Sequence, residues 1–579
     1  MIKRFLKCVR EYKRPTILTL IFITTEVVIE AIIPSITARL VDNINDGTVV
    51  NEILKTGGIL LIMAIASLSC GGIAGFTAAK ASAGFAKNVR KDIFYKIQQF
   101  SFFNIDKFSN SSLVTRLTTD ISNVQMSYMM IIRIAVRAPL MLVFAIIMAY
   151  KMGGALATTF VVIIPVLLFG FIVIAKKAMP AFRRVFKKYD KLNESVEENV
   201  RAMRVVKGFS REEFEKKKFS DAANNIRKDF TYAERIVALN GPIMQFCIYF
   251  NMIFVMSLGS YLIIGGKSSI GVGELSAMLT YGFQVLMQLM MLSMIYVMLT
   301  MSAESMKRIV EVLDEEPTVK EPENPVMEVC DGSIDFNNVN FKYSKRAKEY
   351  ALLDMDFHIK SGSTVGILGG TGSGKTALVQ LIPRLYDIDD GEILVGGINV
   401  KNYSKTVLRD SVAMVLQKNL LFSGTIAENL RWGNEDATDE ELKEACKLAC
   451  ADEFVESFPE KYNTYIEQGG TNVSGGQKQR LCIARALLKK PKILILDDST
   501  SAVDTRTDAI IREGFKKYIP ETTKIIIAQR VASVQDADMI IVLDKGKLVG
   551  TGTHEELLKN NDIYKEVYEQ QIGGGEDNE

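Results

Sequence analysis

The chain has 579 residues, of which 48% are hydrophobic and 24% charged, and its 70 basic and 67 acidic residues leave a net charge of +3. This charge gives no global case for nucleic-acid binding, and the apolar content argues against a disordered or collagen-like chain. Every long apolar run lies within residues 1–312, whereas residues 313–579 have the pattern of a water-soluble α/β protein. A wholly soluble protein is therefore also disfavoured.

Six segments of the first half are each long and apolar enough to cross a bilayer, which takes about 20 helical residues. They are residues 16–38, 56–79, 126–149, 155–176, 238–262 and 276–300. The connections on one side are short or free of basic residues, whereas the N-terminus and segments 80–125 and 177–235 are rich in Lys and Arg. Because positive charge marks the cytoplasmic side, we expect a multi-pass protein of the cell membrane with a cytoplasmic N-terminus and C-terminal half.

Changes in composition along the chain predict its domain organisation. Residues 1–14, MIKRFLKCVREYKR, are predicted to form an amphipathic helix on the inner membrane face. A six-helix transmembrane domain with two long cytoplasmic loops follows at 15–313, and the acid- and Pro-containing stretch 314–332 is predicted to be a linker. Residues 333–572 are predicted to form a second domain, followed by a tail at 573–579.

Charged residues occur one helical turn apart within two of the predicted spans. Glu26 and Glu30 lie on the first span, and Arg133 and Arg137 lie on the third. Because charges inside a membrane are costly, these residues either are structural, paired or close to the interface, or line a substrate path. The sixth span is rich in methionine, which suits either a promiscuous apolar cavity or simple helix filling. Its methionines are Met278, Met287, Met290, Met291, Met294, Met298 and Met301.

The second half contains a phosphate-loop motif, GGTGSGKT, between a predicted strand and a helical pattern, ALVQLIPRLY. The motif matches G-x-x-x-x-G-K-[ST] in the strand-to-helix context that it requires. Its residues are Gly369, Gly370, Thr371, Gly372, Ser373, Gly374, Lys375 and Thr376. The glycines allow backbone N–H groups to curl around phosphate oxygens, the Lys375 ammonium reaches the β- and γ-phosphates, and the Thr376 hydroxyl is a ligand for Mg²⁺. The motif therefore predicts nucleotide binding with Mg²⁺.

A pair of carboxylates ends an apolar strand, ILILDD, at residues 493–498. Asp497 stands where the Walker B acid on the Mg²⁺ side is expected, and Asp498 stands where a catalytic base would lie. Between the phosphate loop and this strand lies the sequence VSGGQKQR, from Val473 to Arg480.

These motifs stand in the order and spacing of ABC ATPase domains. They are the phosphate loop, Gln417 in VLQKNLLF, S-G-G-Q at 474–477, LDD at 496–498 and SAVD at 501–504. With six spans ahead of them, the chain resembles an ABC exporter half-transporter of the multidrug and lipid type over nearly its whole length. The resemblance implies an α-helical six-span transmembrane domain fused to an α/β P-loop ABC ATPase domain at residues 333–572, with ATP and Mg²⁺ as its ligands.

The resemblance also implies roles for single residues. Tyr343 matches the aromatic that stacks on adenine, although a packed strand aromatic is the alternative interpretation. Gln417 matches a loop residue that senses Mg²⁺ and contacts the membrane domain, and a surface loop residue is its alternative. The signature residues, which in this family contact the γ-phosphate bound by the opposite subunit, are Ser474, Gly475, Gly476 and Gln477.

Members of this family work as pairs, in which two ATPase domains close head-to-tail around two ATP molecules. Asp504 matches an acid at the interface of the two domains. Segments 111–120, SSLVTRLTTD, and 208–214, GFSREEF, resemble the coupling helices that carry this closure to the spans.

Two residues depart from the pattern of members that hydrolyse ATP. Those members usually carry Glu after the Walker B Asp, where this chain has Asp498, and a switch histidine where it has Gln529. Asp is one methylene shorter than Glu, and a displacement of about 1 Å can cost about 10²-fold in rate. An amide can bond to a phosphate but cannot take the charge and proton-shuttle roles of imidazole. Neither of the two histidines, His358 and His554, stands in a position to substitute.

The signature, in contrast, is intact, although Val473 replaces the usual Leu. The leading hypothesis is therefore one half of a heterodimeric ABC exporter, whose partner supplies Glu and His at the positions of Asp498 and Gln529. A homodimeric exporter that hydrolyses ATP slowly with Asp498 is the second hypothesis, and an ATP-gated channel or regulator on the same scaffold is the third. Drugs, lipids and peptides all remain open as substrates.

Overall fold

A computed structural model describes residues 2–265, 270–344, 347–498 and 505–573. It contains two compact units, of which one comprises Met1–Gln98 and Asn110–Glu315 and the other comprises Gln99–Ser109 and Glu316–Glu579. We call them the membrane unit and the ATPase unit. Residues 501–504, which include the predicted interface acid Asp504, and the tail from residue 574 lie outside the described residues.

The described part of the first 315 residues is helical. In chain order the helices are α1 (Ile2–Lys7), α2 (Lys13–Asn45), α3 (Val50–Gln98), α4 (Phe102–Phe108), α5 (Asn110–Thr115), α6 (Ile121–Gly153), α7 (Thr158–Arg201), α8 (Met203–Gly208), α9 (Glu212–Ala238), α10 (Asn240–Ile264) and α11 (Val272–Asp314). A π-helical turn, Arg116–Asp120, joins α5 to α6. Of these helices, α4 alone belongs to the ATPase unit.

Six helical segments among the described residues are long and apolar enough to cross a membrane, which confirms the predicted number. They contain α2, α3, α6, α7, α10 and α11. Several are much longer than the apolar runs that predicted them, because their polar ends continue as helix. At 1.5 Å per residue, the 49 residues of α3 far exceed the roughly 30 Å of a bilayer core.

Polar contacts join the second half of α2, the first membrane helix, to the first turns of α11, the last membrane helix. The Tyr281 hydroxyl on α11 donates to the Ala31 carbonyl on α2 at 2.8 Å, and the Tyr281 side chain is fully buried. The Gly273 N–H at the start of α11 donates to the Asp42 carboxylate at 2.7 Å. The Asp42 carboxylate thus provides a partner for an N–H in the first turn of α11, which has no acceptor within the helix.

The N-terminal segment differs from the single amphipathic helix predicted for residues 1–14. The helix α1 covers six residues, and a 3₁₀ turn at Arg10–Tyr12 follows it. Arg10 has a φ of 40°, which interrupts an α-helix, and its guanidinium donates to both carboxylate oxygens of Asp92 at 2.9 Å. Phe5 and Val9 are buried. The segment therefore packs against the helices as well as presenting an amphipathic surface.

The ATPase unit combines strands and helices in alternation. Its strands are β1 (Ile334–Phe341), β2 (Leu352–Ile359), β3 (Thr364–Gly369), β4 (Asp390–Val395), β5 (Ile398–Asn399), β6 (Val412–Val415), β7 (Gly424–Thr425), β8 (Tyr465–Ile466), β9 (Ile493–Asp497), β10 (Thr523–Ile527), β11 (Met539–Asp544) and β12 (Lys547–Gly552). Its helices besides α4 are α12 (Lys375–Leu381), α13 (Lys405–Ser411), α14 (Ile426–Arg431), α15 (Asp439–Leu448), α16 (Asp452–Ser457), α17 (Gly475–Leu488), α18 (Thr505–Tyr518), α19 (His554–Asn560) and α20 (Asp562–Gly573).

One ten-stranded mixed sheet has the order β5-β4-β1-β2-β12-β11-β3-β10-β9-β6. Its section from β11 to β6 is parallel, and β9 and β10 are buried along their whole length. Such strands are expected to be continuously apolar because helices or other strands cover both faces. Two hydrophobic cores form in the unit, one containing Leu494 and Leu496 and the other Ile493 and Ile495, so alternate residues of β9 face opposite sides. The predicted α/β class is confirmed.

Candidate active site

Four neighbouring parallel strands end at one edge of the sheet. Along that edge β3 leads into the phosphate loop, β10 into Gln529, β9 into Asp498 and β6 into Gln417. Ile527 of β10 pairs with Ile367 of β3 on one side and with Asp497 of β9 on the other, so these strands end at the same level. Ligands of open α/β sheets bind beyond the carboxyl ends of such strands. The parallel pairing therefore gathers residues that are far apart in the chain.

The phosphate loop has a backbone that only glycine tolerates at two points. Gly374, which precedes α12, has a φ of +98°, and a Cβ there would lie 2.8 Å from the Ala351 carbonyl oxygen. A Cβ on Gly369 would lie 2.3 Å from the Leu543 carbonyl oxygen. Gly370 faces open space. The loop is thus packed against its neighbours on one side and accessible on the other.

Two side chains of the loop fit an anionic group. The Lys375 ammonium donates to the carbonyls of Gly369 and Gly370, both at 2.8 Å, so it curls over the loop. Burial lowers the pKa of Lys375, and the nearby carboxylates of Asp498 and Asp497 oppose that effect. The Ser373 hydroxyl is buried and has no hydrogen-bond partner within the described residues. A half-buried cation and a buried hydroxyl beside an open loop are donors that suit a phosphate group.

Asp497 and Thr376 form the part of the site that fits Mg²⁺. Asp497 is 3% exposed at the end of β9, and the Thr376 hydroxyl donates to its Oδ1 at 3.4 Å. Burial raises the pKa of Asp497, whereas the hydroxyl of Thr376 lowers it. A nearby divalent cation favours the charged form of such a buried carboxylate. Hydroxyl and carboxylate oxygens are ligands that Mg²⁺ prefers, and Gln417, the third predicted ligand, lies on the same edge.

Two glutamines from separate sequence motifs donate hydrogen bonds to Asp498. Its Oδ2 accepts from the Gln529 amide at 2.8 Å and from the Gln417 amide at 3.3 Å. The residue has a φ of 49°, in the left-handed region, and its N–H donates to the Ile527 carbonyl at 3.1 Å. The three predicted residues therefore form one cluster. Sequence spacing gave no signal for these side-chain contacts, because they join three different strand ends.

Tyr343 lies just beyond the end of β1. Its ring is edge-on to those of Phe341 and Tyr386, at centroid distances of 4.9 and 5.3 Å, and its hydroxyl donates to Gln380 on α12 at 3.2 Å. The residue is 43% exposed. It is thus packed along one side and accessible on the other, which leaves surface for a stacked base.

The signature residues form the beginning of α17. Ser474 caps this helix: its hydroxyl accepts from the Gln477 N–H at 3.2 Å, while its own N–H donates to the Gln477 side chain at 2.9 Å. This reciprocal capping box fixes the helix start. Ser474 and Gly475 are exposed, whereas Val473 packs against the hydrophobic core. The N-terminus of a 14-residue helix is thereby presented at the surface, where it favours anions.

Comparison with known proteins agrees with this geometry. Residues 16–299 match the ABC transporter transmembrane region, and residues 352–501 match the ABC transporter family. The chain is 36% identical, over 96% of both chains, to the uncharacterized ABC transporter ATP-binding protein YfiB of Bacillus subtilis. It is also 33% identical, over 96% of both chains, to an uncharacterized ABC transporter ATP-binding protein of Mycobacterium tuberculosis. The chain belongs to the ABC transporters.

The structure of a bacterial Atm1-family ABC exporter with ATP bound shares the fold of this ABC transporter. The TM-score is 0.84 at 23% identity, over 97% of this chain and 98% of the other. The expected fusion of six spans to an ABC ATPase domain is confirmed. ATP binding, ATP hydrolysis and a multi-pass membrane location follow from membership of the family.

One segment between the first membrane helices clusters with the ATPase unit, and the sequence did not predict it. Residues 99–109, with α4, cluster with the ATPase unit, whereas 111–120 and 208–214 belong to the membrane unit. On α4, Phe103 packs against the sheet core, the Asn104 amide donates to the Glu316 carbonyl at 3.0 Å, and Asp106 accepts from the Tyr386 hydroxyl at 2.7 Å. The assignment of 111–120 and 208–214 as coupling helices stays a prediction, and α4 is an additional segment that packs within the ATPase unit. The sequence gave little signal for α4, because FFNIDKF is too short for a periodic pattern.

Tyr386 contacts both α4 and the predicted adenine-stacking residue. Its ring lies edge-on to that of Tyr343 at 5.3 Å, while its hydroxyl bonds to Asp106. Burial raises the pKa of Tyr386, and the Asp106 carboxylate raises it further, so the phenol remains a donor across the physiological range. One side chain thus connects the nucleotide-site aromatic to a segment that continues directly into α3 and α5.

In the membrane unit, the intramembrane charges pair with one another. The Arg137 guanidinium lies 2.7 Å from the Glu30 carboxylate and 3.4 Å from that of Glu26. A Cβ on Gly71 would lie 3.0 Å from a Glu26 oxygen, so α3 packs closely over the pair. These contacts favour the structural interpretation for Glu26, Glu30 and Arg137.

We predict that Lys375→Ala lowers ATP affinity at this chain's own site by roughly 10- to 100-fold, the range expected for losing a hydrogen bond to a charged group. Photolabelling of the chain with an azido-ATP analogue measures this affinity. Lys360→Ala, an exposed lysine before β3, is the matched control and should leave it unchanged. Equal labelling of both variants would contradict the assignment of residues 369–376.

A second prediction concerns the bond between Tyr386 and Asp106. Tyr386→Phe removes the hydroxyl but keeps the ring, so the backbone amides of 102–108 should exchange hydrogen severalfold faster while ATP affinity is retained. Tyr403→Phe is the control, because the Tyr403 hydroxyl donates to the Val395 carbonyl and not to α4. This variant should leave the hydrogen exchange of 102–108 unchanged. Unchanged exchange in Tyr386→Phe would show that other contacts hold α4 in place.

Proposed function

We propose that this ABC transporter is one half of a heterodimeric exporter, which moves an apolar or amphipathic substrate out of the cell at the expense of ATP. In this proposal the chain's own ATP site hydrolyses slowly. The chain also contributes its signature to the partner's site, where most hydrolysis occurs. The cluster of Asp498, Gln417 and Gln529 is the observation that supports it most directly.

Asp498 is poorly arranged to act as a general base. A base must lie within hydrogen-bond reach of the water whose proton it takes, with a lone pair directed at that water. The Oδ2 of Asp498 already accepts from two amides, at 2.8 and 3.3 Å, and the Asp side chain is shorter than the Glu usual here. The two amides therefore compete with a water molecule for this oxygen.

The rest of the site is suited to holding ATP. Lys375 fits phosphate oxygens, as does the Ser373 hydroxyl, which has no partner among the described residues, while Thr376 and Asp497 provide oxygens for Mg²⁺. When bound, Mg²⁺ offsets the negative charge of the phosphates. Retained binding beside a poorly placed base is the combination expected of a site that binds ATP and turns it over slowly.

The signature supports a partner with a different sequence. Ser474 and Gly475 are exposed at the capped start of α17, where they are available to an ATP molecule bound by another subunit. A homodimer would join two slow sites, whereas a partner with Glu and His at the positions of Asp498 and Gln529 would form one fast site. We expect a neighbouring gene to encode such a partner.

The membrane half supports an apolar or amphipathic substrate. Arg137 already pairs with Glu26 and Glu30, so these charges are engaged within the unit. The sixth span supplies flexible methionines, and Met294 is 64% exposed in the single chain. Polarizable, unbranched side chains adapt to ligands of different shapes.

The proposal predicts that the catalytic positions of the pair are unequal. Asp498→Asn should lower the steady-state ATPase rate of the purified pair by less than about 3-fold, whereas Glu→Gln in the partner should lower it by about 10²-fold or more. Ser474→Arg in this chain should also be severe, because it puts bulk and charge where the partner's γ-phosphate lies. Vesicle-reconstituted transporter, assayed for phosphate release, gives the measurement.

Assaying the chain alone provides the control. Robust ATPase and transport by this chain without a partner would support the homodimer instead, and ion conductance without substrate-stimulated ATPase would support a channel. If Asp498→Asn proved as damaging as the partner's Glu→Gln, both sites would be hydrolytic. The asymmetric function would then be wrong.

A further inference from the structure

A cavity of about 890 Å³ lies in the membrane unit, between the N-terminal segment and four long helices. Apolar residues of α1, α2, α3, α6 and α11 line its wall. They include Phe5, Leu6, Ile17, Phe85, Ile132 and Met306. A volume of this size falls within the roughly 300–1,000 Å³ of ligand pockets. It is separate from the nucleotide site and from the paired charges of Arg137.

The same cavity has a basic rim. Lys7, Arg10 and Lys13 line it from the N-terminal segment. Arg10 is engaged by Asp92, whereas Lys7 and Lys13 are exposed. The first 14 residues contain six basic residues and one acidic residue, so the rim lies in a strongly positive segment. Cationic side chains border an otherwise apolar pocket, which is complementary to an amphipathic anion.

The position of the cavity along the membrane indicates which amphipathic anion it meets. Positive-inside bias places the N-terminus in the cytoplasm, so the beginning of α2 lies at the inner leaflet. The wall residue Ile17 and the rim residue Lys13 are both within the first turns of α2. Anionic phospholipids of that leaflet attract juxtamembrane Lys and Arg.

We propose that this cavity is a binding site for one anionic phospholipid of the inner leaflet. An acyl chain lies against the apolar wall, and the headgroup phosphate lies between Lys7 and Lys13. The hydrogen bond between the Thr16 and Tyr128 hydroxyls, at 2.8 Å, joins α2 to α6 beside the cavity and keeps its two walls together. The bound lipid stabilises the N-terminal segment against the helices and is not itself transported.

Native mass spectrometry tests this site. The transporter is delipidated in the assembly in which it is purified and is then titrated with phosphatidylglycerol or with phosphatidylcholine that has the same acyl chains. Wild-type protein should bind one phosphatidylglycerol more tightly than phosphatidylcholine. The double variant Lys7→Gln, Lys13→Gln should lose roughly 5- to 30-fold in phosphatidylglycerol affinity, the scale expected for two juxtamembrane cations. Ile17→Trp, which fills the apolar wall, should weaken both lipids.

Two matched variants separate the site from general attraction to the membrane. Arg14→Gln removes a neighbouring exposed charge, and Ile21→Trp enlarges an exposed residue on the same helix; neither residue lines the cavity. Both should bind phosphatidylglycerol as the wild type does. The proposal is overturned if the wild type binds the two lipids equally, if Arg14→Gln loses as much affinity as the double variant, or if a partner segment fills the cavity and no lipid binds.

Discussion

The parallel pairing of β3, β10, β9 and β6 is the constraint on which the nucleotide site depends. Each strand ends at the same edge, so one short turn after each strand is enough to bring its polar residue into the site. Asp497 and Asp498 are neighbours of Gln529 for this reason, although 31 residues separate Gln529 from Asp498. The buried strands fix the edge, because a slip of β9 by one residue would exchange its side chains between the two cores and would displace Asp497 from the level of its neighbours.

The sequence predicted those parts of the protein in which a local pattern carries the information. Long apolar runs predicted six membrane-crossing helices, and the phosphate loop predicted its own strand-to-helix turn. Helix ends were less predictable, since the C-terminal extensions of α3 and α7 are polar and continue without a break. The N-terminal segment was predicted as one helix, whereas the ion pair of Arg10 with Asp92, 82 residues away, accompanies a break in it.

The spacing of motifs along the sequence could not predict the long-range side-chain contacts. The convergence of Gln417 and Gln529 on one oxygen of Asp498 depends on strand order, which the motifs alone do not encode. The position of α4 in the ATPase unit has the same cause: its anchors, Tyr386 and Glu316, lie more than 200 residues further along the chain. A seven-residue helix shows too little periodicity to distinguish it from its neighbours.

The retention of a carboxylate at position 498 has a physical explanation apart from catalysis. Burial disfavours the charged form of Lys375, and Asp498 is the larger of the two carboxylate influences that favour it, ahead of Asp497. Under the proposed function, the charged Lys375 is the cation that faces the phosphates of ATP. The amides of Gln417 and Gln529 both donate to Oδ2 of Asp498, so they hold this carboxylate in place while they occupy an oxygen that a base would use. Under the proposed function, these three side chains therefore support ATP binding at this site more than its hydrolysis.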